Sequence, residues 1–193
     1  MTAMAQHEIG PFTIDDWHAL PAREDGSRLE LIEGYWLLTP PPTGQHQWAE
    51  NELVSLLKTA IRQSGRTDLY PVSGVGVEIG TADRTALVPD IAVLDIRPVG
   101  TSFSAQNVLL AGEIWSPGNT SNEQRAKFHA CENAGVPFFW SVAQDRGGPV
   151  ELAAYRLDRG RYVRETTAEV DGGAARISAS PVPVELDVTA LRA

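Results

Sequence analysis

The chain has 193 residues, 42% of them hydrophobic and 21% charged, the proportions of one ordinary globular domain. Its formal charge of −9 argues against broad, charge-driven binding to nucleic acid, whose affinity comes largely from lysine and arginine on phosphate. A single cysteine, Cys131, excludes an internal disulfide, and neither a signal peptide at MTAMAQHEIG nor a stretch of roughly 18 apolar residues is present, so a cytoplasmic, non-membrane protein is expected.

In chain order, Thr13 followed by Ile14, Asp15 and Asp16 predicts a short helix, with a hydroxyl cap and acids in its first turn, ending near Pro21. RLELI (28–32) and YWLLT (35–39) flank Glu33-Gly34 and read as a hairpin stopped by the prolines at 40 to 42. From Gln45 to about Gln63, Ala49, Leu53, Leu56, Leu57, Ala60 and Ile61 recur at helical spacing, and Gly65 closes that helix. Strands are expected at about 70–79, 88–96 and 108–116, then a second main helix from about Ser121 to Ala134. PFFWSVA (137–143), VELAAYRL (150–157) and GRYVRE (160–165) read as later strands, the last two joined by Asp158-Arg159-Gly160. The tail has weaker strand character. The expectation is one α+β domain over 1–193, with a central mixed sheet, two main helices, and residues 1–12 and about 168–193 at its periphery.

Two carboxylates stand out. Asp90 follows Pro89 at the start of a run, Ile91 to Ile96, that is apolar on both faces, the pattern of a strand covered on both sides. Glu113 lies in phase with Leu109, Ala111 and Trp115 inside LLAGEIW. Burying either charge is costly without a partner, commonly a cation. If the two strands are neighbours, both acids meet at one end of the sheet. On the second helix Lys127 shares a side with Ala130, Cys131 and Ala134, while Arg125, His129, Glu132 and Asn133 project the other way. A Mg²⁺ site explains these pieces together, since that ion is held by one or two carboxylates and receives phosphate oxygens.

The order of these motifs resembles the Uma-type restriction endonuclease family of the PD-(D/E)XK nuclease superfamily. The matching residues are Glu30-Leu31-Ile32-Glu33-Gly34, Thr39-Pro40-Pro41, His46, Pro89-Asp90, Glu113, Ser116-Pro117, Thr120, Lys127 and Gly135-Val136-Pro137 with Trp140, over roughly residues 12 to 165. The resemblance implies a restriction-endonuclease-like fold and a Mg²⁺- or Mn²⁺-dependent endonuclease acting on DNA. By it, Asp90, Glu113 and the backbone carbonyl of Ile114 are metal ligands, Lys127 is the catalytic lysine moved onto the helix, and Glu30 completes the site. Trp115 stands where the superfamily's usual lysine would be, Glu123 replaces an aspartate, and the arginine expected around Thr120-Ser121-Asn122 is missing. A homodimer would suit cleavage of two strands.

Plainer readings stand beside these. Asp90 could cap a turn next to Pro89, Glu123 and Lys127 could form a surface i,i+4 pair, and Glu30 could pair with a neighbour on the surface. His46, in phase with Ala49 and Leu53, reads more simply as a packed, hydrogen-bonded histidine than as a catalytic one. For the whole chain, the alternative function is a nuclease fold retained as a non-catalytic binding or scaffold module, which the acidic balance favours.

Overall fold

Local sequence signals set the first elements. In the computed structural model, which describes residues 10–193 other than 22, 81 and 83, Thr13 Oγ1 accepts the Asp16 N–H and the Asp16 carboxylate accepts the Thr13 N–H. This capping box starts helix α1 (Ile14–Ala19). Positions 1–9 of the expected N-terminal periphery lie outside the described residues. Strands β1 (Arg28–Ile32) and β2 (Tyr35–Thr39) pair antiparallel across Glu33 (φ 53°) and Gly34 (φ 84°). Two successive left-handed residues match the twist of a hairpin, as the Glu-Gly pair predicts. A Cβ on Gly34 would lie 2.6 Å from Pro11 Cβ, so the segment before α1 also demands glycine there.

Helix α2 (Gly44–Gln63) follows, capped by Thr43, with Ala49, Leu53, Leu57 and Ile61 buried along one stripe. Then come β3 (Tyr70–Ser73), β4 (Gly76–Gly80), β5 (Thr85–Leu87), β6 (Ile91–Leu94), β7 (Ser102–Ser104) and β8 (Val108–Trp115). After helix α3 (Ser121–Asn133) the chain forms β9 (Phe138–Asp145), β10 (Gly148–Asp158), β11 (Arg161–Glu169), β12 (Ala175–Ile177) and β13 (Val184–Leu186).

The architecture is α+β with mixed sheets and few helices, but the single central sheet expected from sequence is divided in two. A five-stranded sheet has the order β2-β1-β5-β4-β7, and a six-stranded sheet has the order β11-β10-β9-β8-β6-β3. The division occurs where the expected strand 70–79 breaks at Gly74 (φ 61°), sending β3 and β4 into different sheets. Residues 85–94 divide likewise at Pro89, with β5 in one sheet and β6 in the other. Each of these two sheets contains one parallel pair, β4 with β7 and β8 with β9, while β12 and β13 form a separate antiparallel pair.

The six-stranded sheet is covered on both faces. Leu53 and Leu57 of α2 pack with Ile91, Val93, Leu110 and Trp140 on one side. On the other, Ala92, Leu94, Ala111 and Phe139 meet Cys131 of α3 and Val77 and Leu87 of the smaller sheet. The alternation expected from residues 90–96 is realised over Ile91–Leu94, which has apolar neighbours on both faces. The strand stops before Ile96, which is exposed.

The C-terminal tail is not a loose border. Ile177, Val184, Leu186, Val188 and Leu191 are buried in the α2 side of the core, and Trp140 Nε1 donates to the Ala179 carbonyl at 2.8 Å. Glu132 is a second difference. Expected on the outward side of α3, it is 4% exposed because the β10–β11 hairpin folds over the helix end. Its carboxylate accepts the Tyr162 N–H at 2.7 Å and pairs with Arg161 at 2.9 Å. Among the described residues no helix is long and apolar enough to cross a membrane.

Candidate active site

The site forms where the start of β6 meets the end of β8. These strands are antiparallel neighbours with Ile91 opposite Gly112, which brings Asp90, just before β6, alongside Glu113. Both acids are buried, at 4% exposure each. Asp90 does more than cap a turn: its Oδ2 accepts the Ile114 N–H at 2.8 Å, fixing the carboxylate to β8. Its Oδ1 accepts from Arg28 Nη1 and lies 2.9 Å from His46 Nε2.

Helix α3 supplies the ammonium. Lys127 is only 4% exposed, as its side of the helix predicted. Nζ sits 3.3 Å from Glu113 Oε2 and 2.7 Å from Glu30 Oε2. Glu30 is fully buried; its other oxygen accepts the Val88 N–H at 2.7 Å. It is therefore neither a surface ion-pair partner nor solvent-facing. Glu123 does not pair with Lys127; its carboxylate accepts from Asn119 Nδ2 at 2.7 Å. The i,i+4 surface pair is thus replaced by a buried triad of Glu30, Lys127 and Glu113.

Two residues at the site escaped the sequence reading, and a third was weighted toward packing. Glu50 and Arg28 were not singled out, yet Arg28 Nη2 reaches Glu50 Oε2 at 3.3 Å while Nη1 holds Asp90. The signal for Glu50 was its i,i+4 spacing from His46, which puts both on one helical face. His46 is buried at 6% exposure. Its Nε2 is close to Asp90 but off the line a ring N–H would need, and neither ring nitrogen makes a hydrogen bond with a described residue. A packed histidine is normally satisfied, so two orphaned nitrogens, one of them beside a carboxylate, call for a missing partner.

Charge tells the same story. Glu30, Glu50, Asp90 and Glu113 stand against two permanent cations among the described residues, Arg28 and Lys127, a formal surplus of two negative charges before His46 is counted. Burial pushes the Glu113 carboxyl well above the ordinary glutamate range; Lys127 opposes that rise, while Asp90 and Glu30 add to it. For Asp90, burial also works upward, but the adjacent His46 in its protonated form, Arg28 and the Ile114 N–H outweigh it and hold the carboxyl below its usual range. Burial would lower Lys127, yet Glu113 and Glu30 more than compensate and raise it, so it stays an ammonium.

A divalent cation fits this donor set. Ligand atoms of His46, Glu50 and Asp90 all lie within 4.8 Å of one another. One imidazole and two carboxylates are donors that several divalent metals accept, and a 2+ ion would cancel the surplus charge. His46 and Asp90 border a cavity of about 360 Å³ shared with Glu113, Lys127, Arg28 and the Pro40–Pro42 wall, and Glu50 stands behind them on the far side of Arg28 Nη2.

The family profile described as "Putative restriction endonuclease", Uma2, matches residues 14–190. The chain belongs to the Uma2 family. Uma2 membership covers both sheets, both main helices and every site residue described above. Among solved structures, the Uma2 chain is similar to one described as "a putative nuclease belonging to DUF820 from Anabaena variabilis ATCC 29413". The two share 22% identity and a TM-score of 0.69, over 94% of this chain and 97% of that one. That likeness establishes a shared fold. No curated protein sequence matches this chain.

Proposed function

We propose that this chain is a divalent-metal-dependent endonuclease that hydrolyses DNA phosphodiester bonds. The observation that carries the reading is the convergence of Asp90 and Glu113, from two neighbouring strands, with buried Lys127 and the unsatisfied His46 in one cavity. Asp90, Glu50 and His46 would hold a Mg²⁺ or Mn²⁺ ion, with Glu113 and the Ile114 carbonyl completing its surroundings on the β8 side. Such an ion supplies Lewis acidity and lowers the pKa of water.

The chain's own groups then have separable tasks. Lys127, kept protonated by two carboxylates, cannot take a proton from water; it offers fixed positive charge to the phosphate oxygens as negative charge builds there. Glu30 positions that ammonium and ties it through the Val88 N–H to the segment leading into Asp90. In the reaction a water oxygen–phosphorus bond forms and the phosphorus–oxygen bond to the leaving nucleotide breaks. The attacking water gives one proton to solvent and the leaving oxygen takes one from solvent, yielding a phosphomonoester and a free hydroxyl. A homodimer belongs to the same reading, because two sites related by two-fold symmetry can address two strands.

The competing reading, a nuclease fold kept as a binding module, draws on the net charge of −9 and on both cavity cations being already ion-paired. Incubation with supercoiled plasmid and Mg²⁺ or Mn²⁺ separates the two. Nicking by the wild type, lost in both Asp90→Ala and Lys127→Ala, is the expected result. Equal residual nicking in all three samples, or none in any, would leave the binding module ahead.

A further inference from the structure

Arg28 has no assigned task in that scheme, yet it occupies the centre of the site's charge pattern. It projects from β1 on the same strand face as Glu30, two residues on. Its guanidinium forks across Asp90 Oδ1 and Glu50 Oε2, the two carboxylates of the His46–Glu50–Asp90 group. A guanidinium there satisfies the acids but does nothing for His46, whose nitrogens stay unpartnered beside it. The fork is thus an incomplete occupant of a place whose donor set suits a metal. Lys127 could not exchange in this way, because it is enclosed by Glu30 and Glu113 at 4% exposure. The Arg28 side chain is 21% exposed and borders the open cavity, so its long stem has somewhere to go.

We infer that Arg28 is a displaceable counter-ion: it holds Asp90 and Glu50 together until a divalent cation takes them, and the released guanidinium then binds the substrate phosphate. The inference rests on the metal-dependent nuclease reading above. It adds a second cationic phosphate contact to that of Lys127, at a site where the arginine expected near Thr120 is missing and Lys127 is already shared between two acids. A guanidinium suits the task, because its fork matches two phosphate oxygens as well as it matches two carboxylates.

Metal binding tests the exchange without any catalytic assay. Mn²⁺ titrations followed by electron paramagnetic resonance would compare wild type, Arg28→Gln, Arg28→Lys and Asp90→Ala. Removing the competitor should tighten Mn²⁺ binding by roughly tenfold in Arg28→Gln, given the strength of a charge pair in a partly buried site. Arg28→Lys should fall between that variant and the wild type. A residue that merely supported the fold would leave affinity unchanged or weaken it, and either result overturns the inference. If Asp90→Ala abolishes binding while Arg28→Gln equals wild type, the metal site stands and the counter-ion exchange falls; no binding in any sample removes both. Should Arg28→Gln not fold, the wild type still decides the question. The Arg28 side-chain Nε resonance should shift on adding Mg²⁺, and a resonance unmoved at saturating Mg²⁺ overturns the exchange.

Discussion

The two halves of the site carry similar charges and treat them differently. On the α3 side, Lys127 is sealed between Glu30 and Glu113, with an additional backbone N–H on Glu30. On the α2 side, Arg28 reaches Asp90 and Glu50 from the edge of a cavity, and His46 next to them has no hydrogen-bond partner among the described residues. The difference is one of satisfaction. A closed, fully bonded ionic cluster rigidifies, and removing one member leaves an uncompensated buried charge. A half-satisfied cluster beside a cavity is free to exchange partners. In the proposed reading the first half positions and the second half binds.

The largest way to break this contrast is Lys127→Met. It removes the ammonium from between two buried carboxylates and should cost about 3–5 kcal/mol in urea unfolding. A loss below about 1 kcal/mol would place Lys127 with exposed pairs and undo the distinction.

Next comes a paired comparison of near-isosteric changes. Glu30→Gln should cost about 1.5–3 kcal/mol, because Lys127 and the Val88 N–H lose a charged acceptor, yet leave the Mn²⁺-induced rise in melting temperature intact. Glu50→Gln should do the reverse, shrinking the Mn²⁺ effect while costing less metal-free stability than Glu30→Gln, because it also relieves part of the surplus negative charge beside Asp90. Similar outcomes for both variants would erase the boundary between the halves.

A gentler probe is pH, and the two acids work in opposite senses. Glu113 is raised when folded, so its contribution is fully present below the unfolded value near 4.5 and is lost as pH climbs through the higher folded value. Asp90 is depressed, so its contribution is present above the unfolded value near 3.8 and is lost as pH falls through the lower folded one. In chelator, the melting temperature should therefore fall on both limbs. Glu113→Gln should flatten the alkaline limb, and Mg²⁺ should lift it. An alkaline limb unchanged in Glu113→Gln would assign it to another group.

Much of the fold could be read in advance because its signals are local. The Thr13 capping box, the Glu33-Gly34 turn, the α2 stripe and the two-faced β6 each depend on residues within a few positions of one another. The convergence of Asp90 and Glu113 needed only one nonlocal assumption, that their strands are neighbours, and the register supports it. Lys127 followed from helical phase. Glu132 had the opposite outcome, since the hairpin that covers it comes about thirty residues later in the chain. The tail from 168 onward hid its core role for a similar reason: short strands such as Ala175–Ile177 carry too few residues to declare a period, and α2 supplies the surface they cover.

By itself the sequence determined that α2 has one apolar side and β6 two, and that Asp90, Glu113 and Lys127 must find buried partners. Only the tertiary structure decided who those partners are. It divided one expected sheet at Gly74 and Pro89, gave Glu30 to Lys127 rather than to solvent, and set Arg28, Glu50 and His46 around Asp90. The physical reason is range. Hydrophobic period and turn chemistry act over a few residues, whereas the choice of counter-ion depends on distances of a few ångströms between strands and helices far apart in the chain.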